Sequence, residues 1–522
     1  MVTAACTYTL GMMIFRRVVP ALFVLVSLAS GALADSDRWY ILKMMGQACG
    51  DMHSVIKTED GKVTTSSKTT ISIGRGDAVA KITMESLFVE TVDGTPVMMK
   101  SVQNTGGKPI TSTYTFQQDG SIELVTEQNG KPITKQLPKP EGVWLTPNAA
   151  DQFVRQRMKS GAKEITLRSV TPEMGATPVT VKYTDFEKTS VVVDGRTVEA
   201  TKRKITTDTG QGVFKSTDYV DEDGELIKSR MSVGGINIDV IASTRAEAQA
   251  GAKTKAAPPE IMVSTFCKPD RPIENPREVT RAVLTLSVEE DMPKLPETGA
   301  QKVAADGNRA TLTISTTSLS PAPEADATDP ALLAATTLAN SQDPEVAKLA
   351  TRAIASLNNG EDTPAAKAEA CRRFVHRYIS KKNLGTAFAT ASEVARSKQG
   401  DCTEHGVLLT ALLRSNGIRS RAVVGLVYAD QFAGSQGIFG YHMWTQALLE
   451  VDGKHRWVDL DATLDDSTPF DATHIALDVT KLEDGAPASG LGAVAPLLGA
   501  LKIKVESVEH AAAGVGAGAG GK

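Results

Sequence analysis

Gly400-Asp401-Cys402-Thr403-Glu404-His405 begins an apolar-periodic run in which Val407, Leu408, Ala411 and Leu412 share one helical face until Gly417 stops it. Asp401 stands where an N-cap belongs, so Cys402 is expected in the first turn of a helix. A thiol there feels the positive end of the helix dipole and unpaired backbone N–H groups, which lower its pKa and favour the reactive thiolate. The same N–H groups can hold an oxyanion. A lone cysteine is commonly an inert packing residue. Here Asp401, Thr403, Glu404 and His405 make the surround polar and argue against burial in an apolar core.

A thiol nucleophile needs a base, and the base needs an orienting acid. Tyr441-His442-Met443-Trp444 starts a run to Val451, Asp452-Gly453 is a type I′ turn signal, and Lys454–Asp461 returns. A two-residue turn sets Trp444 opposite Asp461 and His442 opposite Thr463. His442 and Asp461 then become diagonal neighbours on one face, roughly 7–8 Å apart at the backbone and within side-chain reach. Asp459 shares that face a step further away, opposite Gln446. His405 is the rival base, but it has no acid on a neighbouring element and is read as supporting or structural. Glu404 is read as a surface or helix-start charge.

From about Glu369 to Thr463 the chain resembles the transglutaminase-like superfamily. The resemblance rests on Gln399–His405, Leu412–Val423, Tyr441–Trp444 and Trp457–Thr463. It implies a papain-related core that orders Cys, His and Asp along the chain, with Cys402 as nucleophile, His442 as base and Asp461 as acid. Two departures stand out: Asp461-Ala462-Thr463 where many relatives have Asp-Pro-Thr, and Gln446 where an acidic residue is usual. Beside the backbone N–H of Cys402, Gln399 and Trp444 are candidate oxyanion donors.

The expected class is α+β: a papain-like transglutaminase core on the C-terminal side, preceded by a large antiparallel β-rich domain and a small β-module. Residues 1–34 read as a signal peptide, with Arg16-Arg17 before the apolar Val18–Leu28 and a cleavage site at Ala32-Leu33-Ala34. Translation starting at Met12 or Met13 fits the same pattern. Residues 35–245 read as the β-rich domain, punctuated by Asp60-Gly61, Asp93-Gly94, Asp119-Gly120, Asn129-Gly130, Asp194-Gly195 and Asp223-Gly224. A helix over Asn148–Ser160 is predicted to turn Ala149, Phe153 and Met158 to the sheet, while Trp39, His53 and Trp144 are packing residues. Residues 246–259 read as a linker, 260–318 as the small β-module and 319–330 as a second linker. The catalytic domain spans 331–480, and 481–522 is an extension with a disordered Ala- and Gly-rich tail after Val508. Thr363-Pro364 starts a helix whose core stripe holds Cys371, leaving His376 solvated.

The net charge of −4 and the lack of a basic tract give no support to a nucleic-acid partner. Cys49, Cys267 and Cys371 are an odd set, so disulfides are optional, and no cysteine spacing suits zinc. The acidic clusters Asp465-Asp466 and Asp218–Asp223 lack the positions of a calcium loop. Neither metal nor cofactor is expected. The whole reads as a periplasmic or secreted cysteine protease or acyltransferase, acting on peptide or amide bonds of a protein or peptide substrate by hydrolysis or cross-linking. It would meet a membrane only transiently, through the signal peptide. The alternative is a non-catalytic binding or scaffold protein whose β-rich N-terminal domain binds a peptide, glycan or lipid; Cys402, His442 and Asp461 standing together weigh against it.

Overall fold

The structure, a computed structural model, describes residues 35–511 apart from 76–77, 194, 211, 234–235, 253–258, 260–262, 290–291, 358–361, 382–387, 486–496 and 498. The signal-peptide segment 1–34 and the tail from 512 lie outside the described residues.

Two antiparallel meanders share one sheet. The first runs from β1 (Ser36–Met44) to β8 (Lys131–Leu137), helix α1 (Pro147–Lys159) follows, and the second runs from β9 (Ile165–Thr171) to β14 (Ile236–Ser243). Strands β1 and β14 pair antiparallel in the middle and join the meanders into a 14-stranded sheet with β8 and β9 at its edges. The Asx-Gly signals act as their chemistry requires: Asp60-Gly61 and Asn129-Gly130 both carry positive φ, as a type I′ turn needs. Met45-Gly46 adopts the same conformation without the sequence signal.

Helix α1 packs on β9 and on a strand of the other meander (Lys62–Arg75). Its buried stripe is Asn148, Ala150, Asp151, Val154 and Arg155, with Phe153 and Met158 flanking it. The face is therefore rotated by about one residue from the predicted one. Buried Glu90 accepts hydrogen bonds from Thr146 Oγ1 and from the backbone of Asn148 and Ala149, satisfying N–H groups that the helix start leaves unpaired.

Part of the stretch read as a linker is helical: α2 (Arg245–Ala252) packs on β1. The small module holds β15 (Val279–Ser287), β16 (Gln301–Asp306) and β17 (Arg309–Ser315). In the core, helices α3 (Pro344–Ile354), α4 (Pro364–Tyr378), α5 (Ala391–Ser397) and α6 (Cys402–Ser415) surround a sheet of β18 (Ser420–Phe432), β19 (Ser435–Val451), β20 (Lys454–Leu460) and β21 (His474–Thr480). The sheet order is β20-β19-β18-β21. Strand β22 (Lys502–His510) then returns to pair with β15, giving the small sheet the order β16-β17-β15-β22. Order thus extends beyond Val508, because alternate residues Ile503 and Val505 bury against the module.

Helix α6 is buried from Cys402 to Arg414, with α3, α4 and α5 on one side and β18 and β19 on the other. Gly406 sets the approach to β19. A Cβ there would lie 3.0 Å from Met443 Cγ, and its carbonyl accepts from Thr445 Oγ1 at 3.0 Å. A larger residue would have to displace the Met443 side chain where α6 meets the strand that carries His442.

Candidate active site

Asp401 caps α6 through a reciprocal box. Its carboxylate accepts from Thr403 N at 3.0 Å, and Glu404 Oε2 accepts from Asp401 N at 2.9 Å. Glu404 is not a surface charge. It is fully buried, its other oxygen accepts from Ala389 N at 2.7 Å, and burial followed by the adjacent Asp401 raises its pKa well above the usual range. His405 is buried with Nδ1 against the Asp401 carbonyl.

Cys402 has 0% exposure, against the expectation from its polar neighbours. Those neighbours cap the helix inwards, under the core, instead of facing water. Burial raises the Cys402 thiol well above its ordinary value, reinforced by Asp401, Glu404 and Asp461, while a hydrogen bond from the Met443 backbone opposes it. Burial thus outweighs the effect expected of the helix start. The helix that Cys402 begins packs on β19, whose ladder with β20 ends at Thr445 and Leu460.

The hairpin has the register its turn demands. Asp452 and Gly453 both have positive φ, Gln446 pairs with Asp459, and Thr445 pairs with Leu460. Past the end of that ladder, His442 Nε2 donates to Asp461 Oδ2 at 2.7 Å, both residues being about 1% exposed. Asp461 Oδ1 accepts from Thr463 N and Oγ1, which holds the Asp461-Ala462-Thr463 turn without a proline. Arg372 from α4 binds the carbonyls of Asp461, Leu464 and Asp465 and fixes the same turn from behind. Burial would raise Asp461, but His442 and His474 outweigh it and hold the carboxyl well below its usual range. The other ring nitrogen, His442 Nδ1, is buried and has no hydrogen-bond partner among the described residues. The structure therefore brings His442 and Asp461 together and packs the helix that begins at Cys402 on the same strand, with His442 Nδ1 left unpaired and no sulfur–imidazole hydrogen bond formed.

Trp444 donates its indole N–H to Asp459 Oδ1 at 2.8 Å, which commits it elsewhere and removes it as an oxyanion donor. Gln446 is buried and structural: it donates to Asp459 at 2.8 Å and accepts from Arg421 and from Thr298 of the small module. Gly299 of that module lies so close that a Cβ would come within 2.1 Å of Asp459 Oδ2. Cys49, Cys267, Cys371 and Cys402 are all free and buried. His376 is half-buried, with Nδ1 3.3 Å from the Ala462 carbonyl.

His474 was not singled out from sequence, yet its Nε2 lies 3.2 Å from Asp461 Oδ2. A signal existed: Asp461-Ala462-Thr463 recurs ten residues later as Asp471-Ala472-Thr473, directly before His474. Both aspartates accept from the N–H and hydroxyl of the threonine two residues on. One ligand-type atom from each of His442, Asp461 and His474 lies within 4.8 Å of the others. Asp461 Oδ2 accepts from both rings, so the trio is one hydrogen-bonded set.

A transglutaminase-like superfamily model matches residues 351–462. That segment is transglutaminase-like. The match contains Cys402, His442 and Asp461 and stops short of Asp471 and His474. Among solved structures, the chain is similar to a β-barrel-like protein with a domain of unknown function from Brucella abortus, at 13% identity over 41% of this chain and 97% of that one, TM-score 0.32. It is also similar to a protein from Cytophaga hutchinsonii named as a candidate cysteine protease, at 14% identity over 44% and 89%, TM-score 0.27. A candidate protease from Parabacteroides distasonis aligns at 13% identity over 68% and 64%, TM-score 0.18. At these scores the likenesses carry no functional argument. No curated protein matches the chain.

Beside the transglutaminase-like helix start, a cavity of about 550 Å³ opens between the large sheet and the core, lined by Lys108, Lys131, Arg396, Gln399, Gly400 and Glu404. Its two walls are tied together where Thr390 Oγ1 donates to Gln128 at 2.9 Å and Lys131 Nζ meets Asp343 at 3.1 Å.

Proposed function

We propose that this protein is an exported, cysteine-dependent acyl-transfer enzyme acting on peptide or amide bonds. The observation that carries the reading is His442. Asp461 fixes one ring nitrogen, the other is buried and unpartnered, and the helix that begins at Cys402 packs on the strand that carries the ring. Leaving a buried polar atom unpaired costs about 1–3 kcal/mol, and accepting a proton from a thiol gives that atom a use.

In the reaction, the Cys402 thiol passes its proton to His442 Nδ1 and the sulfur attacks the substrate carbonyl carbon. Asp461 stabilises the imidazolium and keeps Nδ1 as the free face. The Cys402 backbone N–H, in the first turn of α6, is the donor available to the oxyanion. His442 returns the proton to the leaving amine, and water or a second amine then takes the acyl group from the thioester. Burial disfavours an isolated thiolate here, so the proton moves within the pair and not out to solvent. A fully covered Cys402 requires local opening for substrate, and the cavity beside Gln399 and Gly400 is the approach we assign.

Export rests on Arg16-Arg17, the apolar Val18–Leu28 and Ala32-Leu33-Ala34; N-terminal sequencing of the processed protein is expected to begin at Asp35. Among the described residues no helix is long and apolar enough to cross a membrane.

The sealed thiol favours a second reading, a non-catalytic scaffold. Alkylation separates the two. As an enzyme, the protein labels Cys402 far faster than the likewise buried Cys49, Cys267 and Cys371, because His442 takes its proton, and His442→Ala abolishes the difference. Equal labelling of all four thiols leaves the scaffold.

A further inference from the structure

Both ring nitrogens of His474 face oxygen acceptors. Nε2 lies 3.2 Å from Asp461 Oδ2, and Nδ1 lies 3.1 Å from the Asp471 carbonyl and 3.3 Å from Asp471 Oδ1. A neutral imidazole has one N–H and can satisfy only one of those sides; an imidazolium satisfies both. The ring is fully buried, 4.3 Å between centroids from Phe470 and 5.3 Å from Trp444, whose π-faces suit a cation. Asp471 is held in turn by Arg277 Nη1 at 2.6 Å, and Arg277 comes from the small β-module. The same arginine reaches the Tyr428 carbonyl and Thr473 Oγ1. Cation and anion therefore alternate inward from half-buried Arg277 through Asp471 and His474 to Asp461, whose far neighbour is His442.

We infer that His474 is a positioning residue, a resident imidazolium clamped by Asp471 and Arg277, which shares the Asp461 carboxylate with His442 and so sets the acid–base range of the Cys402–His442 pair. The inference rests on the acyl-transfer reading and adds a second ring that competes with His442 for the same carboxylate oxygen. A buried aspartate with His442 as its lone partner would bind a proton there tightly and spoil the base. With His474 on the same Oδ2, Asp461 orients His442 while dividing its hydrogen bonding between two rings. The groups facing His474 are Asp461, Asp471, Asp459 and His442, with Arg277 behind Asp471. Burial pulls His474 down, but Asp471 and Asp461 outweigh it and raise it to about 9, so the cation persists through neutral pH. The small module thereby becomes part of the site: its arginine sets the far end of the line, and its Ala300 N–H binds Asp459 at 3.0 Å.

The test is the pH profile of Cys402 alkylation in the full-length protein, comparing wild type with His474→Gln, Arg277→Ala and Arg277→Lys. Loss of the His474 cation is expected to move the acid limb towards higher pH by about one unit, making labelling about tenfold slower on that limb. Arg277→Ala moves it the same way by less, and Arg277→Lys restores most of the shift. A merely structural role lowers the labelled fraction and leaves the midpoint in place, which would overturn the inference. The ring nitrogens of ¹⁵N-histidine-labelled wild type give a second reading that needs no reactivity, the resonances being assigned with His474→Gln. Both His474 nitrogens are expected to be protonated at pH 7.5, and a neutral ring there also overturns it. Failure of wild-type Cys402 to outpace the other thiols, with His474 still protonated, sinks the acyl-transfer reading and leaves the charged line standing as structure.

Discussion

In the large sheet, buried Met52, Ser54 and Ile56 alternate along one strand with half-exposed Asp51, His53 and Val55, whereas in the core sheet every residue from Ile438 to Leu449 on β19 is buried. The difference comes from what covers each face. A sheet with one wet face can turn its polar side chains to solvent, so they need no protein partners. A strand covered on both sides must find a partner for every polar side chain it carries. His442, Trp444, Thr445 and Gln446 follow one another on such a strand and are tied to Asp461, Asp459, Gly406 and Thr298. Two polar atoms on it are left over, the Tyr441 hydroxyl and His442 Nδ1, and the ring nitrogen, whose partner nitrogen Asp461 holds, is where chemistry is expected. In the large sheet, buried charges have structural work instead: Glu90 caps α1, and Arg155 pairs with Asp151 at 2.8 Å.

The sharpest break of that contrast is Cys402→Ala. Acyl transfer is expected to fall by at least about 10⁴-fold with the melting temperature little changed, measured by turnover and calorimetry; retained turnover would move the chemistry out of the core. Next is packing. Leu408→Ala, at a wholly buried position of α6, is expected to cost about 2–5 kcal/mol. Val192→Ala, exposed on the large sheet, should stay within about 0.5 kcal/mol. Urea unfolding of both variants checks the pair, and equal losses would erase the distinction between the two sheets.

The third is a pH effect confined to the core. His474 is raised in the folded state from 6.5 to about 9. Its stabilisation is therefore fully present below about 6.5 and is lost as pH rises through about 9, on the order of 3 kcal/mol in all. Unfolding of wild type and His474→Gln at pH 6 and pH 9.5 should show this alkaline loss in the wild type alone. The smallest effect belongs to the large sheet. Met45 holds a φ of 51° in its hairpin turn, a conformation that asparagine tolerates better. Met45→Asn is expected to stabilise by about 1 kcal/mol or less, read by the same unfolding assay.

Local signals in the amino-acid order settled whatever depends on near neighbours. Asp452-Gly453 dictated a turn with positive φ at both positions, and from it followed the pairing that puts His442 and Asp461 on one face. Asp401 and Glu404, three apart, dictated the capped start of α6. Asx-Gly pairs marked hairpins, but Met45-Gly46 passed unseen because its side chain carries no such signal. Only the packed molecule decided the rest. Burial of Cys402 and Glu404 comes from elements folded over them, and that reverses the direction in which the helix start alone would move the thiol. Arg277 reaches Asp471 across 194 residues, and β22 finds its partner β15 at a similar remove. Turns and helix caps are encoded by torsional preferences a few residues long, whereas the charge state of a buried group depends on which distant side chains replace its water.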